Sequence, residues 1–202
     1  MTPLPEILLI DKPVGITSFD VIRQLRKRTG IRKIGHAGTL DPLASGLMIL
    51  GVEAGTKKLT ELIKLDKEYV AEIRIGERRS TGDLEGEVLE TSEVAKEISE
   101  REISFVLQAL VGSNELRVSA YSAIKKDGKP MYKRAREAAK QGTLIEDVPM
   151  RTMKVFKAQL LKSDFNTVNS TKMQVVKVRF FVGSGTYIRS LAEEFGRRLG
   201  YP

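Results

Sequence analysis

The sequence contains no cysteine and only one histidine, His36. The absence of cysteine excludes disulfides and thiolate metal sites, and one histidine is too few for the usual zinc and iron ligand sets, so we expect no metal. No apolar run reaches the ~18 to 20 residues of a membrane-spanning helix. The first residues also lack a charged head followed by an apolar signal core. We therefore expect a soluble, cytoplasmic protein that does not enter a membrane.

The residues that are present favour a globular protein with a polyanionic partner. Of the 202 residues 41% are hydrophobic, which is enough to bury the core of one large domain or two small ones. The chain carries 34 lysines and arginines against 26 aspartates and glutamates, a formal net charge of +8. An excess of this sign fits a nucleic-acid partner. Neither a P-loop motif nor a Rossmann dinucleotide motif occurs.

Basic residues are concentrated in two segments. Residues 21–36 contain six lysines and arginines and no acid, and residues 121–140 contain seven against two acids. Both segments suit contacts with phosphates, which give affinity and register but no base identity. Taken alone, either segment is also typical of a solvated helix face.

Hydrophobic periodicity and capping residues predict alternating strands and helices. Thr17 and Asp20 can form a capping box for a helix over residues 17–28 that Gly30 ends, and Ser92 can cap a helix over 93–109. Further strands are expected at 7–10, 46–52, 68–76, its partner 86–90, 154–162 and 172–182, and further helices at 55–65 and 186–198. Paired strands between helices favour an α+β fold with a mixed or antiparallel sheet.

One glycine-rich segment presents a single carboxylate. Residues 33–47 read KIGHAGTLDPLASGL, with Asp41 next to Pro42. Glycines permit unusual backbone angles and close approach of another molecule, and Pro42 biases Asp41 away from helix. Asp-Pro is also a common turn pair, so the local chemistry leaves open both a catalytic acid and a turn-forming aspartate.

This segment and five others together resemble the TruB-type tRNA pseudouridine-55 synthases. The other five follow in the order of that family: residues 11–18 (DKPVGITS), 67–69 (KEY), 80–86 (STGDLEG), 121–125 (YSAIK) and 183–189 (GSGTYIR). The resemblance implies one catalytic domain over residues 1–202. Its expected fold is α+β, with a mixed, largely antiparallel sheet, flanking helices and a central RNA-binding cleft.

The implied activity is the isomerisation of uridine to pseudouridine in the T-loop of tRNA, with the T-arm stem-loop as partner. The reaction has no net redox change and needs no energy source, so we expect no cofactor. Asp41 matches the catalytic residue of the family. It could act as a nucleophile or as the base that removes a sugar proton, and both roles stay open. Arg189 matches the active-site arginine, whose charge would favour ionisation of the acid.

The resemblance also assigns a pocket for the extruded base, which such an enzyme must hold by stacking. Tyr69 and Tyr187 match the two pocket tyrosines, and Asp83 matches the aspartate that pairs with the arginine. His36 matches the histidine that fills the space left in the RNA loop. From the residues alone, each has an ordinary structural alternative: a core tyrosine, a helix-start anchor, a turn aspartate and a core histidine.

The basic segment at about 117–150 matches the family's mobile substrate-gripping loop, and we expect it to become ordered on RNA binding. Contacts with the RNA backbone are expected from Lys125, Lys129 and Arg136, together with Arg32 and Lys33 of the first basic segment. Where the family usually has a Pro-Pro pair, this chain has residues 118–120 (VSA). The sequence stops before the family's next leucine-rich and arginine-rich segment and shows no C-terminal PUA-type domain, so we expect a compact variant or a cut sequence. We expect a monomer.

Two alternative functions share these motifs. One is a tRNA-folding chaperone with weak or no catalysis. The other is the catalytic subunit of a guide-RNA-directed pseudouridylation complex, against which the absence of a PUA-type domain argues.

Overall fold

The computed structural model describes residues 4–145, 147–168 and 171–202. The chain forms two compact units, one ending at Leu65 and one comprising Asp66–Pro202. Among the described residues, no helix is both long enough and apolar enough to cross a membrane.

The first unit is a three-stranded antiparallel sheet with a helix packed on one face. In the sheet the order is β1-β3-β2. The elements are β1 (Ile7–Lys12), α1 (Ser18–Thr29), β2 (Ile34–His36), β3 (Gly46–Val52), a 3-10 helix (Glu53–Lys58) and α2 (Leu59–Leu62). Buried side chains of α1, β2 and β3 form the core of this unit: Val21, Ile22, Ile34, Met48, Leu50 and Val52.

Helix α1 (Ser18–Thr29) has the predicted capping residues at both ends. The Thr17 hydroxyl accepts a hydrogen bond from the Asp20 N–H at 3.1 Å, and the Thr17 N–H donates to the Asp20 carboxylate at 2.9 Å. Gly30 ends the helix in the left-handed conformation at φ 73°. The capping box and the glycine C-cap are therefore confirmed.

The helix predicted over residues 55–65 is shorter than expected. Its first part is the 3-10 helix, and α2 has only four residues. Gly55 lies against Glu6, the residue before β1, because a Cβ at position 55 would stand 1.9 Å from the Glu6 carbonyl oxygen. This contact leaves no room for a side chain at that position.

The second unit is built on a four-stranded antiparallel sheet in the order β4-β11-β10-β7. Its strands are β4 (Lys67–Ile75), β5 (Glu77–Arg79), β6 (Val88–Thr91), β7 (Gly112–Arg117), β8 (Lys125–Lys126), β9 (Lys129–Pro130), β10 (Met150–Val168) and β11 (Thr171–Val182). Its helices are α3 (Glu100–Ala109), α4 (Met131–Lys140) and α5 (Ile188–Leu199). Residues of the sheet, α3 and α5 share one buried core, including Ile103, Leu107, Val178, Phe180 and Phe195.

The predicted pairing of residues 86–90 with residues 68–76 is wrong. Strand β6 pairs with β5, whereas β4 pairs with β11 along its whole length. Gly76 separates β4 from β5 with φ 92°, and its carbonyl accepts a hydrogen bond from the Ser92 N–H at 2.9 Å. The chain therefore leaves the large sheet at Gly76 and forms a separate hairpin.

The predicted helix start at Ser92 is also wrong. Helix α3 begins at Glu100, and its cap is Ser99, whose hydroxyl accepts from the Glu102 N–H at 3.2 Å. The buried side chain of Gln174 hydrogen-bonds both the N–H and the carbonyl of Ile98, each at 2.8 Å. Residues 92–99 are therefore irregular rather than helical, with Val94 and Ile98 buried in the core.

The second basic segment contains regular structure that the sequence did not reveal. Strands β8 and β9 form a hairpin whose two turn residues, Asp127 at φ 52° and Gly128 at φ 76°, have positive φ angles. Helix α4 follows and buries Met131 and Ala135. All strand pairs among the described residues are antiparallel, which agrees with the prediction of a largely antiparallel sheet.

Candidate active site

Asp41 lies in the loop between β2 and β3 and is half-buried. Its carbonyl accepts a hydrogen bond from the Ala44 N–H at 3.0 Å, which closes a turn. The next carbonyl, that of Pro42, accepts from the Gly15 N–H at 2.8 Å. Asp41 is therefore part of a turn, and the segment that follows β1 holds this turn through Gly15. The catalytic role of Asp41 stays a prediction.

Lys12 is a buried cation beneath this loop, with a relative exposure of 0%. Its ammonium donates to the carbonyls of Pro13 and Ile16, each at 2.9 Å, and to that of Pro42 at 3.4 Å. Burial lowers the pKa of Lys12, and the Asp41 carboxylate opposes this shift. Lys12 therefore joins the opening motif to the Asp41 loop and adds positive charge near the carboxylate.

Ser18 holds the residue before Asp41. Its hydroxyl donates to the Leu40 carbonyl at 3.0 Å and accepts from the Leu40 N–H at 2.9 Å. Sequence reasoning did not select Ser18, because the only signal was its place at the end of the opening DKPVGITS motif.

His36 ends β2 and is half-buried. As assigned, its Nδ1 accepts a hydrogen bond from the Gly38 N–H at 3.4 Å, which is a long bond. This contact belongs to the fold of the glycine-rich loop. The RNA contact predicted for His36 stays a prediction.

Arg189 joins three segments of the second unit. It lies in the first turn of α5, and its guanidinium donates to the Thr81 carbonyl at 2.7 Å, the Ser119 hydroxyl at 2.9 Å and the Tyr121 carbonyl at 3.3 Å. Ser119 lies within residues 118–120, where the family usually has a Pro-Pro pair. Sequence reasoning missed this hydroxyl, which fastens the start of the basic segment to Arg189.

Asp83 combines the two roles that the sequence left open. One carboxylate oxygen accepts from the Thr81 hydroxyl at 2.6 Å and from the Glu85 N–H at 3.1 Å, as a turn aspartate does. The other lies 3.9 Å from the Arg189 guanidinium. Both side chains are mostly buried, with relative exposures of 12% for Arg189 and 18% for Asp83. The structure therefore brings this predicted pair together.

The two predicted pocket tyrosines are half-buried at the edge of the same core. Tyr69 lies on β4 opposite Phe180 of β11. Tyr187 is the residue before α5, and its N–H donates to the Met153 sulfur at 3.4 Å. Each tyrosine side chain thus packs against the core and remains partly accessible to solvent.

The predicted backbone-binding residues differ in their electrostatic surroundings. Lys129 is paired with Glu137, and this hydrogen bond lowers the pKa of the Glu137 carboxyl. Arg136 is exposed and lies 5.6 Å from the centre of the Tyr132 ring. Within the described ranges, no carboxylate lies within ion-pair distance of Lys125 or Arg136.

The first basic segment also presents exposed charge. Arg32 and Lys33 are exposed between α1 and β2. On α1, the guanidinium groups of Arg23 and Arg26 lie 5.8 and 5.7 Å from the centre of the exposed Phe19 ring. Helix α1 therefore carries a cationic surface with an aromatic residue, of the kind that phosphates and bases can contact.

The relationship to known proteins follows from a match over most of the chain. Residues 26–188 match the family model described as TruB family pseudouridylate synthase, N-terminal domain. The chain belongs to this family. The matched span includes Asp41, Tyr69, Asp83 and Tyr187, and Arg189 is the next residue after it.

Curated relatives carry the name tRNA pseudouridine synthase B. The protein of that name from Leifsonia xyli subsp. xyli is 44% identical over 196 residues, which cover 96% of this chain and 62% of the relative. The one from Corynebacterium glutamicum (strain R) is 39% identical over 197 residues, which cover 98% of this chain and 63% of the relative. The chain thus spans less than two thirds of the length of these relatives.

Two solved structures share the fold. One, an H/ACA RNP bound to a substrate RNA containing 2'-deoxyuridine, aligns with a TM-score of 0.62 at 25% identity over 96% of this chain and 43% of that chain. A Cbf5–Nop10–Gar1 complex gives a TM-score of 0.62 at 26% identity over 96% of this chain and 44% of that chain. The predicted α+β fold of the pseudouridine synthase type is confirmed.

Proposed function

We propose that this chain carries the catalytic part of an enzyme that isomerises uridine to pseudouridine in tRNA. One observation carries the proposal: a curated tRNA pseudouridine synthase B is 44% identical over 196 residues, which include Asp41 and every other predicted site residue. The hydrogen-bonded Asp41 loop and the buried Asp83–Arg189 pair support it, since both keep polar groups in fixed places.

The proposed chemistry requires one carboxylate and a pocket. The bond between the sugar and nitrogen 1 of the base breaks, the base rotates, and carbon 5 bonds to the sugar. The proton on carbon 5 leaves to solvent, nitrogen 1 takes up a proton, and no electron is gained or lost overall. Asp41 serves as nucleophile or as base, and Tyr69 and Tyr187 hold the extruded uracil by stacking. Arg189, ordered by Asp83, and His36 complete the set of substrate-binding residues.

The proposed substrate is the T-arm stem-loop, with the reacting uridine at position 55. Phosphates of the stem are contacted by Lys125, Lys129 and Arg136 of one basic segment and by Arg32 and Lys33 of the other. These contacts supply affinity, whereas the pocket selects the base. The proposed enzyme acts as a monomer in the cytoplasm.

The experiment is incubation of the chain with a T-arm stem-loop RNA in the absence of any other RNA, followed by nucleoside chromatography. The control RNA carries cytidine in place of the loop uridine. We expect one pseudouridine per stem-loop and none in the control. Tight binding without product would contradict the proposed activity and would favour the chaperone.

A second candidate function is supported by the structural likeness to the H/ACA RNP and to the Cbf5–Nop10–Gar1 complex, each with a TM-score of 0.62. It is catalysis directed by a guide RNA. A second incubation with an added complementary guide RNA separates the candidates, because a guide-directed subunit forms product only when that guide is supplied.

A further inference from the structure

We propose that Ser18 is a positioning residue for Asp41, through a hydroxyl that fixes the backbone on the N-terminal side of the carboxylate. This inference rests on the proposed function, in which Asp41 is the catalytic group. Ser18 contacts neither substrate nor the reacting atoms in this account. It acts through Leu40.

Both hydrogen bonds of the Ser18 hydroxyl are made with one residue, Leu40. The Leu40 N–H donates to Ser18 Oγ at 2.9 Å, and Ser18 Oγ donates its only proton to the Leu40 carbonyl at 3.0 Å. The N–H belongs to the peptide group between Thr39 and Leu40, and the carbonyl belongs to the one between Leu40 and Asp41. Because each peptide group is planar, two bonds from one hydroxyl orient both planes that lead into Asp41.

Other residues orient the peptide planes that follow. The carbonyl of Asp41 accepts from Ala44, and that of Pro42 accepts from Gly15 and Lys12. Four successive peptide groups are therefore held by hydrogen bonds. Ser18 is the side chain that holds the first two, so its loss frees one side of Asp41 while the other side stays fixed.

Ser18 is itself held firmly. It is the first residue of α1, lies within the Thr17–Asp20 capping box, and has a relative exposure of 3%. Because water has little access to its hydroxyl, solvent cannot easily replace the two bonds when the side chain is removed. The position thus couples the start of a well-capped helix to the backbone of the carboxylate loop.

The expected consequence is a loss of rate without a loss of RNA affinity. A carboxylate displaced by about 1 Å reacts about 100-fold more slowly, although phosphate contacts elsewhere still bind the RNA. For Ser18→Ala we expect a single-turnover rate about 10- to 100-fold lower at saturating enzyme, with the Kd for the T-arm stem-loop unchanged.

Thr17→Ala is the matched control. It removes the capping hydroxyl from the neighbouring residue and weakens the same helix, but it leaves both bonds of Ser18 to Leu40 in place. We expect Thr17→Ala to lower the unfolding temperature while keeping the rate of the parent. Equal rates for Ser18→Ala and Thr17→Ala, at temperatures where both are folded, would overturn the proposal.

A second variant keeps the test valid if Ser18→Ala does not fold. Ser18→Cys preserves the size of the side chain and replaces the hydroxyl with a weaker donor and acceptor. We expect the single-turnover rate of Ser18→Cys to lie between those of the parent and Ser18→Ala. If Ser18→Ala does not fold, the rate of Ser18→Cys should still be several-fold below that of the parent. A parental rate in Ser18→Cys together with lost protection of the Leu40 amide would also overturn the proposal.

Amide hydrogen exchange separates this inference from the proposed function. We expect the Leu40 N–H to be protected from exchange in the parent and in Thr17→Ala, where it is bonded to Ser18 Oγ, and to exchange faster in Ser18→Ala and Ser18→Cys. Unchanged exchange at Leu40 would contradict the role of the hydroxyl even if the parent is active. A parent that binds RNA without turnover contradicts the proposed function, while the exchange still reports whether Ser18 holds Leu40.

Discussion

In each of the two units, buried polar side chains bond mainly to backbone groups. Lys12 places its ammonium among three carbonyls, and Arg189 donates to two carbonyls and one hydroxyl. A buried cation is stable only when its donors are satisfied, so these side chains tie separate segments together. Lys12 thus helps to fix the loop of Asp41, and the bonds of Arg189 fix a side chain that is itself proposed to bind substrate.

At the residue scale, Tyr69 tests whether the pocket stacks a base. Tyr69→Leu keeps an apolar side chain on β4 but removes the ring, so turnover should fall by about 10-fold or more, because stacking on a base contributes about 1–3 kcal/mol. Tyr69→Phe is the control, since it retains the ring and should stay near the parent. Single-turnover rates and unfolding free energies are compared for both variants. If Tyr69→Leu loses stability in proportion to rate, the residue is a core tyrosine.

At the scale of elements, two serine variants test which residue caps α3. Ser99→Ala removes the hydroxyl that accepts from the Glu102 N–H and should lower the unfolding free energy by about 1 kcal/mol. Ser92→Ala, at the residue that the sequence pattern favours, should change it by less than about 0.5 kcal/mol. Denaturant titration of both variants measures the difference. A larger effect at Ser92 would place the helix start where the pattern predicted it.

The basic segment gives a second prediction at this scale, because Lys129, one of the three cations of this segment proposed to contact RNA, is paired with a carboxylate. Glu137→Gln releases Lys129 from its ion pair, so affinity for the T-arm should rise and the salt dependence of binding should steepen by up to about one unit in log–log slope. Lys129→Ala should weaken binding less than Lys125→Ala or Arg136→Ala. Binding isotherms at several salt concentrations measure both effects.

Glu90→Gln is the matched control for that charge change, because Glu90 is also ion-paired, with Arg78, but lies outside the basic segment. It should leave the salt slope unchanged. If Glu137→Gln behaves like Glu90→Gln, the RNA backbone does not lie along β9 and α4.

At the scale of the whole molecule, the sequence predicted what local chemistry determines and missed what distant contacts determine. The capping box of α1 and its glycine stop lie within one helix and were predicted correctly. Just before α3, the backbone of Ile98 is hydrogen-bonded by Gln174, which lies 76 residues away in the sequence. No signal near Ser92 could reveal that contact.

The same division between local patterns and distant contacts applies to the candidate site residues. The motif match located Asp41 and the Asp83–Arg189 pair, because their residue types and spacing are distinctive. It did not reveal Ser18 or Ser119, whose hydroxyls act on partners 22 and 70 residues away. A serine carries a specific role only through the geometry that the fold gives it.

Release of tritium from carbon 5 of uridine measures whether Asp41 carries the reaction. The parent and Asp41→Asn are incubated with a T-arm stem-loop that carries uridine tritiated at carbon 5, and RNA affinity is measured in parallel. We expect release by the parent and a rate at least about 10³-fold lower for Asp41→Asn, with a Kd within about threefold of the parent. Release by Asp41→Asn near the parental rate would contradict a catalytic role for Asp41.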